Sequence, residues 1–95
     1  MNILVSCANG SGTSLMMKMT VQKVVKKLNL KVTKIHHCSL SEGKSSASKY
    51  DAVFCPLNFV DMFKDAAAKG VIVIGLRNVM SPDEMEAKMK ETGLV

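Results

Sequence analysis

Cys7 is the residue in this chain best placed to do chemistry. It ends the apolar run Ile3-Leu4-Val5-Ser6 and opens a stretch of small residues, Ala8-Asn9-Gly10-Ser11-Gly12-Thr13-Ser14, that leads into a helical pattern from Leu15 onward. A helix N-terminus carries unpaired N–H groups and the positive end of the helix dipole, which suits an anion. The same surroundings favour the thiolate, the reactive form of a cysteine. Gly10 and Gly12 let the backbone fold inward without side-chain obstruction, Ser11, Thr13 and Ser14 add hydroxyl donors, and Asn9 adds an amide. A nucleophile and a phosphate cradle therefore fall in one short segment. The chemistry they fit is attack of sulfur on phosphorus, with the loop stabilising the charge of the transferring group.

Neighbouring chemistries are narrowed by what the loop lacks. No Gly-Lys-Ser/Thr follows at Walker A spacing, and the dinucleotide fingerprint G-x-G-x-x-G is absent. A phosphatase resembling the low-molecular-weight tyrosine phosphatases would carry an arginine six positions after the cysteine, where this chain has Thr13. Without that guanidinium fork the bidentate grip on transition-state oxygens is lost, so a phosphocysteine would be passed on rather than hydrolysed. Two other readings stay open: a cysteine hydrolase of this kind, and a thiol redox or regulatory domain in which Cys55 meets Cys7 across neighbouring strands.

The elements that must position Cys7 are punctuated regularly. Apolar runs at Asn2–Ser6, Val32–His36, Ala52–Cys55 and Val71–Gly75 predict strands, and the patterns at Ser14–Leu28, Asn58–Lys69 and Pro82–Thr92 predict helices. Short, near-continuous apolar strands alternating with helices indicate a parallel sheet covered on both faces. The expected architecture is α/β: one domain over residues 1–95, a doubly wound four-stranded parallel sheet of order 2-1-3-4 flanked by helices. Asn58 is expected to cap a helix with Phe59, Phe63, Ala66 and Ala67 on one apolar stripe and Gly70 as its stop. Ser81-Pro82-Asp83-Glu84 combines a capping box with proline at the first helical position. The Ser- and Lys-rich stretch Ser39–Lys49 has no clear period and reads as a short helix or loop.

In the first helix Met17, Val21, Val24, Val25 and Leu28 form a core-facing stripe. Leu15 and Met19 then fall on the opposite face beside Gln22 and Lys26, one turn from the cysteine loop, as candidate docking contacts. Arg77, the only arginine, follows the fourth strand and suits a phosphate or a partner's carboxylate.

Composition limits the remaining possibilities. The net charge is +5, and up to Lys49 there are eight lysines against Glu42 alone. A basic face could meet an acidic partner, but one arginine, no tryptophan and no aromatic interleaving give nucleic acid little support. No apolar run approaches the roughly 18 residues of a membrane span, and the N-terminal residues lack a signal-peptide layout, so a cytoplasmic protein is expected. Three cysteines without C-x-x-C fit a reducing compartment rather than a disulfide framework. His36-His37-Cys38 invites a metal, yet adjacent strand residues point to opposite faces, so no metal is expected.

The cysteine loop, the following Leu15-Met16-Met17-Lys18-Met19 and the later Gly75-Leu76-Arg77-Asn78-Val79-Met80-Ser81-Pro82 together resemble the IIB components of the bacterial sugar phosphotransferase system (PTS). The resemblance covers nearly the whole chain; it is to the ascorbate-type branch, with galactitol-type relatives next. Ala8 stands where such proteins often have Gly, and Thr13 where Ser is common. The resemblance implies a Rossmann-like, flavodoxin-like fold and a phosphocarrier. Cys7 would accept a phosphoryl group from a phosphohistidine of a IIA protein and deliver it to a sugar or sugar acid held by a membrane IIC component. Residues Ala8 to Ser14 would form the cradle, and no cofactor would be needed, because the energy arrives with the phosphohistidine.

Overall fold

The structure, a computed structural model, describes residues 1–7 and 11–94, with the backbone alone for Ser11 to Ser14. Its chain runs β1 (Asn2–Cys7), α1 (Ser11–Lys27), β2 (Lys34–Ser39), α2 (Leu40–Ser46), a 3₁₀ turn (Ala47–Lys49), β3 (Ala52–Pro56), a 3₁₀ helix (Leu57–Phe63), α3 (Lys64–Ala68), β4 (Ile72–Leu76) and α4 (Pro82–Glu91). The four strands form one parallel sheet of order β2-β1-β3-β4, the expected doubly wound arrangement.

The inner strand β1 explains why the sheet must be covered on both sides. Ile3, Leu4 and Val5 are all fully buried, so successive side chains enter two different cores. Ile3, Val5 and Cys7 pack with Met17, Val21 and Val24 of α1 and with Met85 and Met89 of α4. Leu4 packs on the other face with Leu40 of α2, Phe63 at the end of the 3₁₀ helix and Ala66 of α3. The expected stripe of α1 is the one observed: Met17, Val21, Val24 and Val25 are buried and Leu28 is partly buried.

Several boundaries differ from expectation for physical reasons. Strand β2 runs three residues past His36 because its register with β1, from Asn2↔Lys34 to Cys7↔Ser39, holds it there. An edge strand pairs on one side only, so polar side chains are tolerated where an apolar pattern has already stopped. Helix α1 begins at Ser11 rather than Ser14, which makes residues 11–14 its first turn. Asn58 does not cap a helix. Pro56 starts a 3₁₀ helix at extended backbone, and regular α-helix begins only at Lys64. The tight segment lies against Gly75 of β4, where an added Cβ would collide with the Val60 and Leu57 side chains. Of the expected stripe there, Phe63 and Ala66 are buried and Phe59 half-buried, but Ala67 is exposed, because the 3₁₀ segment resets the helical phase. The stretch 39–49 is ordered as α2, capped by Ser39, whose Oγ accepts the Glu42 N–H at 3.4 Å, and the 3₁₀ turn after it.

Helix α2 can sit close to the sheet because Gly43 faces it. A Cβ there would meet the Ser6 Oγ and Cβ, with the Cys38 Sγ next. Ser6 is itself fully buried, and its hydroxyl donates to the Ser39 carbonyl at 2.9 Å. Gly43→Ala is therefore expected to destabilise the fold by about 1–3 kcal/mol through overpacking, measured by urea unfolding. An unchanged midpoint would show that α2 does not approach the sheet this closely.

Candidate functional site

The carboxyl edge of the sheet gathers the residues that the sequence singles out. Cys7 ends β1, Ser39 is its register partner on β2, Pro56 ends β3, and Arg77 follows Leu76 at the end of β4. Three residues, 8–10, separate Cys7 from the first helical residue, Ser11. Ala8, Asn9 and Gly10 lie outside the described residues, as do the side chains of Ser11, Thr13 and Ser14, so the cradle expected from them is described only through the helix backbone. That backbone matters. The first-turn N–H groups of a 17-residue helix have no partner within it, and the dipole adds positive potential at that end.

Charge placement distinguishes this helix end from the others. The first turn of α1 contains no acidic residue, whereas α2 has Glu42, α3 has Asp65 and α4 has Asp83 and Glu84. Each of those helix ends thus has a negative charge beside its positive dipole end, and the first turn of α1 has none. Lys26 and Lys27 complete the pattern at the other end of α1, where cations are favoured.

The three free cysteines are not equivalent. Cys7 packs in the core shared with α1 and α4, whereas Cys38 and Cys55 belong to the core on the opposite face. A disulfide between Cys7 and Cys55, conceivable from strand order alone, is therefore overturned: their strands are neighbours, but their side chains leave the sheet on opposite sides. Burial pushes the Cys55 thiol up to about 12, and its Sγ donates to the Ile74 carbonyl at 3.8 Å. Burial also raises Cys38, against a lowering hydrogen bond with Ser6. Both thiols are therefore protonated near neutral pH.

Leu15 and Met19 are exposed as expected, at 45% and 52%. Met16, which the helical stripe did not single out, is the most exposed large apolar residue among the described residues at 55%, so the patch at the start of α1 is wider than two side chains. Arg77 is also exposed, and its guanidinium forms no salt bridge among the described residues. It lines a cavity of about 230 Å³ with Pro56, Leu57, Asn58 and Leu76, between the ends of β3 and β4. A larger cavity of about 460 Å³ lies between α1 and the start of β2, lined by Lys18, Lys26 and Lys34 among others. It is away from the strand ends that carry Cys7.

Sequence reasoning missed the feature that holds the Arg77 loop. Ser81 caps α4 by accepting the Glu84 N–H at 3.2 Å, as expected. The Glu84 carboxylate, however, does not complete the box at the Ser81 N–H, which donates to the Asn78 carbonyl instead. It reaches further back, accepting the Arg77 and Asn78 N–H groups at 2.8 Å each. Asn78 Oδ1 in turn accepts the Met80 N–H at 3.0 Å. Partial burial works to raise the Glu84 carboxyl. The two amide bonds outweigh it, helped by the charges of Lys88 and Arg77, and hold it below its ordinary 4.5.

An α/β sheet of order β2-β1-β3-β4 with a thiol at the carboxyl end of an inner strand, three residues before the first residue of a helix, defines a flavodoxin-like domain. The family model described as "PTS system, Lactose/Cellobiose specific IIB subunit" matches residues 2–91. The ascorbate-specific PTS EIIB components of Salmonella typhimurium and Escherichia coli O157:H7 are 32% identical over 89 residues, covering 94% of this chain and 85% of each relative. The lactose-specific IIB domain of Streptococcus pneumoniae superposes with a TM-score of 0.71 at 20% identity, over 97% of this chain and 96% of that one, and so shares its fold. The chain belongs to the IIB family of the sugar phosphotransferase system.

A carboxyl whose folded pKa is depressed contributes stability above its unfolded pKa and loses it as pH falls through the folded value. Glu84→Gln is expected to cost about 1 kcal/mol at pH 7 after solvent screening. The gap from the wild type should close as pH drops below 4.5, in paired urea titrations. A gap that is independent of pH would contradict the clamp.

Proposed function

We propose that this chain is a phosphocarrier whose Cys7 relays a phosphoryl group from a IIA protein to a sugar held by a membrane IIC component. The observation that carries the reading is the connection of Cys7 to the acid-free N-terminus of α1 through only three residues. In the first half-reaction the Cys7 sulfur attacks phosphorus; the S–P bond forms as the P–N bond of the donor phosphohistidine breaks, and the imidazole leaves with the electron pair. In the second, a substrate hydroxyl oxygen attacks phosphorus, the S–P bond breaks, and the Cys7 thiolate is regenerated as the hydroxyl proton passes to a base.

The backbone N–H groups of the first turn of α1 would bind the phosphoryl oxygens in both steps, together with Ala8 to Ser14 as the rest of the cradle. Thr13 at the position of a phosphatase arginine favours transfer over hydrolysis, because the fork that would steady a water-attack transition state is missing. No organic cofactor enters the scheme. The ascorbate-specific relatives favour a sugar acid of that type as the final acceptor, and residues 1–95 would act as one IIB domain. Among the described residues no helix is long and apolar enough to cross a membrane, which fits a cytoplasmic carrier that meets the membrane only through IIC.

Leu15 and Met19, with Arg77 at the neighbouring strand end, are proposed as contacts for the two partners. Their exposure close to Cys7 supports this role, since burial of such side chains becomes favourable only when a partner covers them. Replacing Leu15 and Met19 with polar residues is expected to slow phosphoryl transfer from IIA at least about tenfold, equivalent to roughly 1.4 kcal/mol, and to leave the melting temperature nearly unchanged. Unchanged transfer would remove both from the docking surface. Cys7→Ser should take no stable phosphate from phosphorylated IIA, whereas Cys38→Ser and Cys55→Ser should still be labelled. Equal labelling of Cys7→Ser would overturn the assignment.

A further inference from the structure

His36 and Cys38 are two residues apart on β2, so they share a face of the sheet even though His36 and His37 do not. The face they share is the one covered by α2, whose first turn brings Glu42 to them. A His36 ring nitrogen, the Cys38 Sγ and a Glu42 carboxylate oxygen all lie within 4.8 Å of one another. This cluster is on the opposite side of the sheet from Cys7 and takes no part in the phosphoryl relay.

We infer that His36, Cys38 and Glu42 form a binding site for a borderline-soft divalent cation of the Zn2+ type. Imidazole, thiolate and carboxylate are the three donor types that such an ion accepts, and three protein ligands leave a fourth position for water. With bonds of about 2.0–2.3 Å, tetrahedral donors stand about 3.3–3.7 Å apart. Donors no more than 4.8 Å apart are within about 1.5 Å of that spacing, and Glu42 is exposed, so a rotation of its side chain closes the difference.

The neighbours of each donor support the assignment. The His36 ring stacks on Tyr50, with centroids 6.5 Å apart and planes 12° from parallel, which restricts its orientation. Ser39 caps the Glu42 N–H, fixing the backbone from which the carboxylate reaches. Gly43 leaves the space that lets this turn approach Cys38. Glu42 is also the single acidic residue among the first 49, and it stands beside the one His–Cys pair of the lysine-rich half.

Binding balances simply. The Cys38 S–H gives its proton to solvent as the metal–sulfur bond forms, His36 coordinates through a neutral nitrogen, and Glu42 binds as its carboxylate. One thiolate and one carboxylate neutralise the dication, so a half-buried site accumulates no net charge. The ion would tie the end of edge strand β2, paired with β1 alone, to the first turn of α2.

Co2+ is the probe. Titrating the purified chain with Co2+ should give one equivalent of binding with a thiolate-to-cobalt charge-transfer band, which Zn2+ displaces. Cys38→Ser should abolish the band, and Cys7→Ser should keep it, which separates this site from the phosphoryl-transfer cysteine. Loss of a second-shell partner already weakens a metal site about 10–100-fold, so Glu42→Gln should bind at least about tenfold more weakly. Glu42 is exposed, so this variant remains a folded test if Cys38→Ser does not, with circular dichroism as the control. Zn2+ should also raise the melting temperature of the wild type and not that of Glu42→Gln. Absence of the band in the wild type, its survival in Cys38→Ser, its loss in Cys7→Ser or unchanged affinity in Glu42→Gln would each overturn the site.

Discussion

Everything at the functional edge depends on one short connection. The last residue of β1 and the first residue of α1 are separated by three residues, which tethers Cys7 to the helix end. Because β1 is an inner strand, buried on both faces, its position is fixed by two cores at once. The helix is fixed by the stripe of Met17, Val21 and Val24. A thiol and a helix N-terminus are thereby each held in place by packing. That is the form of preorganisation an electrostatic phosphoryl-transfer site requires. The other α-helices each carry an acidic residue in the first turn and this one carries none, so no carboxylate of its own first turn competes for its positive end.

The sheet also divides its sulfur chemistry by face. Strand alternation sends Cys7 toward α1 and α4, and Cys38 and Cys55 toward α2 and α3. Cys7 at the carboxyl edge is thus kept apart from the two other thiols by the sheet itself. Burial keeps Cys55 protonated and packed, whereas Cys38 sits beside an imidazole and a carboxylate. The second face has donor chemistry of its own, independent of the relay. The Glu84 clamp belongs to the same division of labour, since it orders the backbone that carries Arg77 past the end of β4.

Much of this was readable from residue pattern. The strand order, the buried stripe of α1, the exposed Leu15 and Met19, and the Ser81 cap all follow from periodicity and local chemistry, and each is found in the fold. The exceptions are places where tertiary pairing overrides local preference. His37 to Ser39 lie beyond the strand-like apolar pattern, but register with β1 extends β2 through them. Asn58 is a good cap by residue type, yet Pro56 and the close packing on Gly75 impose a 3₁₀ segment first. Adjacent-residue reasoning set aside the His36-His37-Cys38 run, because Glu42, the third donor, is brought in by the turn into α2. Met16 stands about 100° round α1 from Met17 and so off the buried stripe, an exposure that the same periodicity implies although it singled out only Leu15 and Met19. The chemistry of Ala8 to Ser14 is read from residue types and from the helix backbone.

The central claim is that phosphate resides on the Cys7 sulfur. Incubating the chain with its phosphorylated IIA donor and mapping the modified peptide by mass spectrometry, at a pH that preserves thiophosphates, tests it most directly. A single phosphoryl group on the peptide containing Cys7, lost when a sugar acceptor and IIC are added, is the result this account predicts. A phosphoryl group on His36, His37, Cys38 or Cys55, or a Cys7 phosphate that water removes before any acceptor is supplied, would contradict it.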